Sequence, residues 1–304
     1  MELKPTKISF GRNETFNLRY SWLNKGLKKF KENANIFTSG EAPLVLGVGK
    51  NMVNSIKYWL GAYQVIDFSK DSVEQTDFGA LIDKNDPYLE NPATLWLLHW
   101  KLCTNPDNAT FYYWFFNYFK KTKFSKVELI NEVTEWLDDK GCKRVSSSTL
   151  DRDALLLLKT FSNSSEEIKN FEESLENPFY ALNLLSKNTD GSYSTIFEAR
   201  DSINIHVLGM CLIEIFESTE VKDLLNQSAK RLQMPIGEFL YEVPSISKIF
   251  RINETFFYQL LEGLIAAYPN IFSFTDTAGQ KIIELKDPST TPSFFIEQMY
   301  KKLN

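Results

Sequence analysis

Two closely spaced glycines, Gly47 and Gly49, sit near the start of the stretch that most constrains this chain, Leu44 to Ile66. Glycine supplies the backbone freedom that a sharp turn requires. After the turn, Met52, Ile56, Trp59, Leu60 and Tyr63 recur at spacings of three and four, one face of a helix. Asn51, Asn54, Ser55 and Tyr58 fall on the opposite face, with Lys50 and Lys57 beside them. Such a helix suits a DNA groove, because Asn pairs with adenine edges and Lys with guanine or phosphate. Phe37 to Leu46 is expected to form a short preceding helix, completing a helix-turn-helix. Asp67-Phe68, a polar loop from Ser69 to Asp77, and Phe78 to Ile82 then read as strand, loop and strand, the order of a winged helix. The plainer alternative is a core helix whose polar face meets only water.

A chain of 304 residues is expected to form two or three domains, each large enough to bury a core. Hydrophobic residues at 43% and charged residues at 24% are those of an ordinary globular protein, and 24 Phe make its core aromatic. No apolar run reaches the length of a membrane span, and the opening Met-Glu-Leu-Lys-Pro is not a signal peptide, so no membrane partner is expected. Cys103, Cys142 and Cys211 are odd in number and far apart, which suggests reduced thiols and a cytoplasmic location. The formal charge of −5 argues against strong unspecific DNA affinity, which needs many phosphate-neutralising cations. Local basic stripes remain compatible with it.

The segment Phe10 to Leu23 is the most distinctive. Asn13 or Thr15 is placed to cap a helix running to about Phe30, with Leu18, Trp22, Leu23, Leu27 and Phe30 as its buried stripe. Lys25, Lys28, Lys29 and Lys31 lie away from that stripe, as a solvated face or a phosphate-contacting edge. Arg19 is expected to be partly buried against Trp22 and bonded to Glu14 or a backbone carbonyl. Phe10, Glu14, Thr15, Phe16, Arg19, Tyr20, Trp22 and Leu23, followed by the run Leu46 to Val53, resemble the signature of the DUF4007 family, an uncharacterised prokaryotic family. The family pattern has His where this chain has Asn13, which removes the one titratable group of that signature and counts against acid–base chemistry there. The resemblance spans most of the chain. It implies a setting beside sulfur-activating, DNA phosphorothioation or phage-defence genes, with other defence proteins as partners, and carries over no catalytic residues.

Asp83 to Pro92 is rich in turn residues and marks a domain edge. Ala93 to Lys101 is apolar nearly all round, a buried helix, and Thr110 to Lys120 is an aromatic run better suited to core packing than to base stacking. Ser125 and Glu128 form a capping box for a helix ending at Gly141, and Ser147 or Ser148 caps the next, with Leu150, Ala154, Leu157, Leu158 and Phe161 buried. Arg152, Asp153 and Lys159 are expected to face outward, where Asp151 and Asp153 would repel phosphate, so this second unit reads as a scaffold. Ser162 to Glu176 reads as an acidic, serine-rich linker or solvated helix, and Tyr193 to Phe197 as a short strand. Ile203 to Phe216 reads as the central helix of the last domain. Beyond it, Val221 to Leu232 is expected to be an amphipathic helix, Pro235 to start another, and Asn253 to cap a third. Ile271 to Phe274, the turn Asp276 to Gly279, and Lys281 to Leu285 read as a β-hairpin.

Several catalytic readings fail on spacing. Gly-Val-Gly-Lys-Asn lacks the leading glycine of a phosphate-binding loop, where Leu44 stands, and has Asn51 in place of its Ser or Thr. His99 and Cys103 share a helical face but have no further ligand pair, and read as a buried polar pair. Asp276 with Glu284 and Lys286 matches the Asp…Glu-x-Lys arrangement of metal-dependent nucleases, though a turn Asp and alternating strand residues account for it as well.

The expected fold is mainly α with minor β, built of tandem winged-helix-like or helix-turn-helix units with short hairpin wings. Domain edges fall at 1–92, 93–176 and 177–304. The expected function is a non-enzymatic DNA-binding or adaptor component of a DNA-modification or phage-defence system, with double-stranded DNA read by Lys50, Asn51, Asn54, Ser55, Lys57 and Tyr58 and no cofactor. A protein–protein scaffold without DNA contact and a nuclease using Asp276, Glu284 and Lys286 are the alternatives.

Overall fold

A β-carbon on Gly26 would sit 2.7 Å from a methyl of Leu60 and 2.8 Å from one of Ile56, so only glycine lets the two helices that carry these residues meet. They are α1 (Tyr20–Glu32) and α3 (Lys50–Ala62) in a computed structural model of the chain. The structure describes residues 4, 6–69, 73–163, 176–218, 220–222, 228–230, 232–277 and 279–301. The chain divides into two units, 2–196 and 197–304. Its character is the expected one, mostly helical with small, largely antiparallel sheets.

In the first unit, α1 buries Trp22, Leu23, Leu27 and Phe30 as its spacing predicts, and Leu18 just before it is also buried. The helix starts later than expected, with Arg19 rather than Asn13 or Thr15 as its N-cap. The reason is local, since Gly11, Glu14 and Thr15 all take positive φ (66°, 50° and 65°), which no right-handed helix accommodates. A short helix α2 (Ala42–Leu46) ends at Gly47 in the left-handed conformation, and α3 follows. Strands β1 (Ile66–Asp67) and β2 (Glu74–Gln75) pair antiparallel. The expected return strand at Phe78–Ile82 is instead part of helix α4 (Asp77–Asn85), because the Thr76 side chain accepts the Gly79 N–H and caps it.

Helices α5 (Pro92–Cys103) and α6 (Thr110–Asn117) are buried almost throughout, so the aromatic run is core. Ser125 and Glu128 form the expected capping box on α7 (Lys126–Asp139), while Ser146, not Ser147 or Ser148, caps α8 (Ser147–Phe161). A four-stranded sheet of β3 (Lys123–Phe124), β4 (Ser162–Asn163), β5 (Leu185–Lys187) and β6 (Tyr193–Ser194) completes the unit in the order β3-β6-β5-β4. The boundaries expected at 92 and 176 both lie inside this unit, because one core runs across them. Asn105 donates to the carbonyls of Gly61 and Ala62 at 3.1 and 3.0 Å, and Phe179 stacks on Tyr63 with ring centres 5.3 Å apart. Most of the acidic segment expected as a linker, 164–175, lies outside the described residues.

The second unit is organised around α9 (Ile205–Ser218), buried from His206 to Phe216. It packs on α12 (Glu254–Ala267), capped by Asn253 as expected, and on the C-terminal helix α13 (Pro292–Lys301). The region expected as an amphipathic helix, Val221 to Leu232, contains two paired strands, β7 (Glu220–Lys222) and β8 (Ser228–Lys230); 223–227 and 231 lie outside the described residues. Pro235 ends β9 (Gln233–Pro235), and α10 (Ile236–Tyr241) and α11 (Ile246–Phe250) follow. The expected hairpin is present as β10 (Phe272–Thr277) and β11 (Gln280–Leu285), with β9 added as a third strand. Among the described residues no helix is long and apolar enough to cross a membrane.

Candidate nucleic-acid interface

The polar face of α3 is only partly available. Lys50, Asn51 and Asn54 are exposed, while Lys57 and Tyr58 are half-buried. Ser55 is fully buried and belongs with the core, correcting its place among the outward residues. It stands one helical turn before Trp59, the centre of the buried face, so the two share a side of the helix. Among the described residues its hydroxyl has no hydrogen-bond partner. Gly49 precedes α3 in ordinary extended geometry (φ −65°), so its lack of a side chain is not demanded by the backbone. Nothing among the described residues lies within 4 Å of where its β-carbon would be. Among the described residues no side chain caps α3, which leaves its first N–H groups to water or an anion.

The second half of the face is covered by the segment that carries the family signature. Residues 9–17 are bonded to three helices. Ser9 N–H donates to Thr110 Oγ1 at 2.8 Å, Gly11 N–H to Asp153 Oδ2 at 2.7 Å, and Asn13 Nδ2 to Asp153 Oδ1 at 2.9 Å. The Phe16 carbonyl accepts Trp59 Nε1 at 3.0 Å, Asn17 accepts the Thr160 hydroxyl at 2.9 Å, and Glu14 accepts Asn54 Nδ2 at 3.2 Å. Phe10 meets Phe111 edge-on, with ring centres 6.1 Å apart. Arg19 does lie over Trp22, 5.4 Å from the ring, but its carboxylate partner is Glu176 at 2.8 Å, not Glu14. The signature is therefore largely a fastening for this segment.

Asp153, expected to face outward, is 3% exposed and is the anchor of that fastening. Burial pushes its carboxyl above the ordinary range, against the pull of the Gly11 and Asn13 bonds and of Arg152. Its charge in turn adds to the burial that raises the phenols of Tyr58 and Tyr112. A sequence signal existed for this role, because Asp153 lies three residues after Leu150 and four before Leu157, on the apolar stripe itself.

Between this segment and α3 lies a cavity of ≈ 500 Å³ lined by Ile8, Ser9, Arg12, Glu14, Asn54, Lys57, Tyr58, Gly61, Phe68, Asp107 and Asn108. It joins two cations, two carboxylates, two amides and two aromatic rings, and the Lys57 ammonium lies 5.3 Å from the Phe68 ring centre. Sequence reasoning named Asn54, Lys57 and Tyr58 only as DNA-reading residues of a helix face, and it missed Arg12, Phe68, Asp107 and Asn108, which come from three separate loops.

The other candidates do not assemble. Asp276 pairs with Lys281 at the tip of the hairpin, whereas Glu284 pairs with Ser273, three positions back along β10. An odd number of positions puts Asp276 and Glu284 on opposite faces, and about 10 Å of strand separates them. Glu284 accepts hydrogen bonds from Gln233 and Ser273, and Lys286 donates to the Pro269 carbonyl. His99 and Cys103 are a buried pair, with sulfur 3.7 Å from Nε2 and the imidazole edge-on to Phe116.

A mainly helical chain with an N-terminal signature folded over its third helix defines the class of this protein. It belongs to the DUF4007 family, a protein family of unknown function whose model matches residues 10–300. Among solved structures, a crystal structure of SspB is similar with a TM-score of 0.83 and 22% identity, over 97% of this chain and 88% of that one. A magnesium ion-bound crystal structure of SspB is similar with a TM-score of 0.84 and 22% identity, over 99% and 91%. At that identity the likeness is one of fold. No curated protein matches the sequence.

Proposed function

We propose that this chain is a DNA-binding component that reads duplex DNA without cutting it, in a DNA-modification or phage-defence system of the phosphorothioation type. The observation that carries the reading is the start of α3, where Lys50 and Asn51, and Asn54 one turn on, are exposed behind N–H groups that no described side chain caps and a Gly49 with no described atom near it. Asn and Lys read base edges, and free helix-terminal N–H groups suit a phosphate. The order α1, α2, α3, β1 and β2 supports a winged-helix arrangement, with the short β1–β2 ladder as the wing. The assignment to a defence system rests on the setting implied by the family resemblance. With a net charge of −5, the contact is confined to this turn and its neighbours.

Binding of plain and phosphorothioated duplexes across a salt series tests the reading. Lys50→Ala should weaken binding and lower the slope of log K against log salt by about one, since one fewer counterion is released. Asn51→Ala should weaken binding with thermal stability unchanged, because its side chain is exposed. Parent-like binding by both variants removes the reader.

A scaffold without DNA contact is the second reading, favoured by Leu44 and Val45 on α2, which are 85% and 39% exposed side by side. Under it, Leu44→Asp disrupts protein complexes while duplex affinity is absent from the start.

A further inference from the structure

We propose that the cavity between the N-terminal segment and α3 is a binding site for a single nucleotide whose base carries an amino group. On the duplex reading above, on which the source of that nucleotide rests, it is a unit extruded from the bound strand.

Its size comes first. A cavity of ≈ 500 Å³ lies within the range of about 300–1,000 Å³ typical of small-molecule sites. The lining then selects the ligand. Phe68 and Tyr58 line the cavity, and bases stack on such rings whatever their sequence. Gly61 lets Phe68 lie close against α3 at the cavity wall, for a β-carbon there would be 3.2 Å from the ring. Arg12 and Lys57 supply positive charge for a phosphate, and among the described residues neither enters an ion pair.

Glu14 and Asp107 also line the cavity, which makes it a poor site for a bare anion. Lys7, 3.8 Å from Asp107, offsets part of that charge. Carboxylates accept hydrogen bonds from exocyclic amino groups, as they do from cytosine in a groove. A ligand that presents an anion at one end, a π-face in the middle and an amino donor at the other meets all three demands. Adenine, cytosine and guanine nucleotides have those features and thymidine monophosphate lacks the amino group.

Asn54 ties the cavity to the first turn of α3, because it lines the cavity and stands four residues after Lys50. Four residues of helix rise about 6 Å, roughly the spacing between successive phosphates of one strand. A strand held at Lys50 thus passes the cavity mouth. Extrusion costs least at a mismatched pair.

Calorimetric titration with dAMP, dCMP, dTMP, deoxyadenosine and inorganic phosphate tests the site itself. The full chain should bind dAMP and dCMP, and dTMP, deoxyadenosine and phosphate each at least about fivefold more weakly. Phe68→Ala should weaken dAMP by about tenfold, the loss of one stacking partner. Arg12→Ala, an exposed substitution that leaves folding intact, should do likewise, and Lys50→Ala should have no effect. Absence of dAMP binding overturns the proposal even if duplex binding stands. Phosphate binding as tightly as dAMP overturns it too, by making the cavity a simple anion site. A duplex with one A·C mismatch distinguishes the sources. Tighter binding of the mismatch than of the matched duplex, lost in Phe68→Ala, assigns the nucleotide to the strand. Binding of dAMP with no mismatch preference assigns the site to a free nucleotide and overturns extrusion, while loss of all duplex binding sinks the reader and leaves the nucleotide site standing.

Discussion

A carboxylate on the apolar stripe of a helix is tolerated only when its oxygens are bonded, and Asp153 has one donor on each. Asp153→Ala would leave the Gly11 N–H and the Asn13 amide without their acceptor, at a cost of about 1–3 kcal/mol for each group that stays buried. The denaturant midpoint should fall accordingly. The pH dependence has a definite sign. Because burial raises this carboxyl above its ordinary 3.8, the folded chain holds the proton more readily than the unfolded one. That contribution is full below the ordinary value and declines as pH rises through the raised one. Melting temperature against pH should therefore slope downward through this window in the parent and less so in Asp153→Ala. Identical profiles would show that the Asp153 carboxyl is not raised in the folded chain. Arg19 is a milder case, holding a partly exposed pair with Glu176 and a place over Trp22. Arg19→Ala should lower stability by about 1 kcal/mol, from the ion pair and the ring contact together. Loss of DNA or partner binding at unchanged melting temperature would instead make Arg19 a contact residue.

The two glycines before α3 do different work at the scale of the element. Gly47 ends α2 at φ 62°, a conformation that costs other residues roughly 1–2 kcal/mol. Gly49 has an ordinary backbone and open space where a side chain would go. Gly47→Ala should thus lower stability by about 1 kcal/mol, with a helix less sharply ended. Gly49→Ala should leave the melting curve unchanged. If the first turn of α3 lies against a phosphate backbone, the added methyl should still weaken duplex binding. A Gly49→Ala chain that both melts and binds like the parent would show that nothing approaches this turn closely. The α7 capping box is the other well-defined element signal. Bonds from Lys121 and then Ser125 hold Glu128 down to about 2, so the box stays intact through mildly acid conditions.

At the scale of the whole molecule, an acidic chain that reads DNA must do so through a small, localised patch, and its affinity should fall only gently with salt. Absence of cleavage is expected on geometric grounds. Asp276 and Glu284 lie on opposite faces of the hairpin, and a shared magnesium needs both sets of oxygen atoms about 2.1 Å away. Supercoiled DNA incubated with the protein and magnesium or manganese should stay uncut, and Glu284→Ala should behave identically. Cleavage that needs metal and vanishes in Glu284→Ala would reverse the non-enzyme reading.

The sequence by itself determined what depends on neighbours along the chain. The Leu18-to-Phe30 stripe, the capping box at Ser125 and Glu128, the Asn253 cap and the C-terminal hairpin are all patterns written within a few residues. Short apolar runs were ambiguous for the same reason, and Phe78 to Ile82 became helix because Thr76 caps it. Only the tertiary structure decided the rest. Asn13 is paired with a residue 140 positions away, so its carboxylate acceptor could not be read from its neighbourhood. The domain edges moved because aromatic rings from residues 63, 112, 161 and 179 share one core. The cavity draws its walls from four separate segments, and no single segment carries its pattern. Periodicity reports which face of an element is apolar, and only packing decides what covers the face left over.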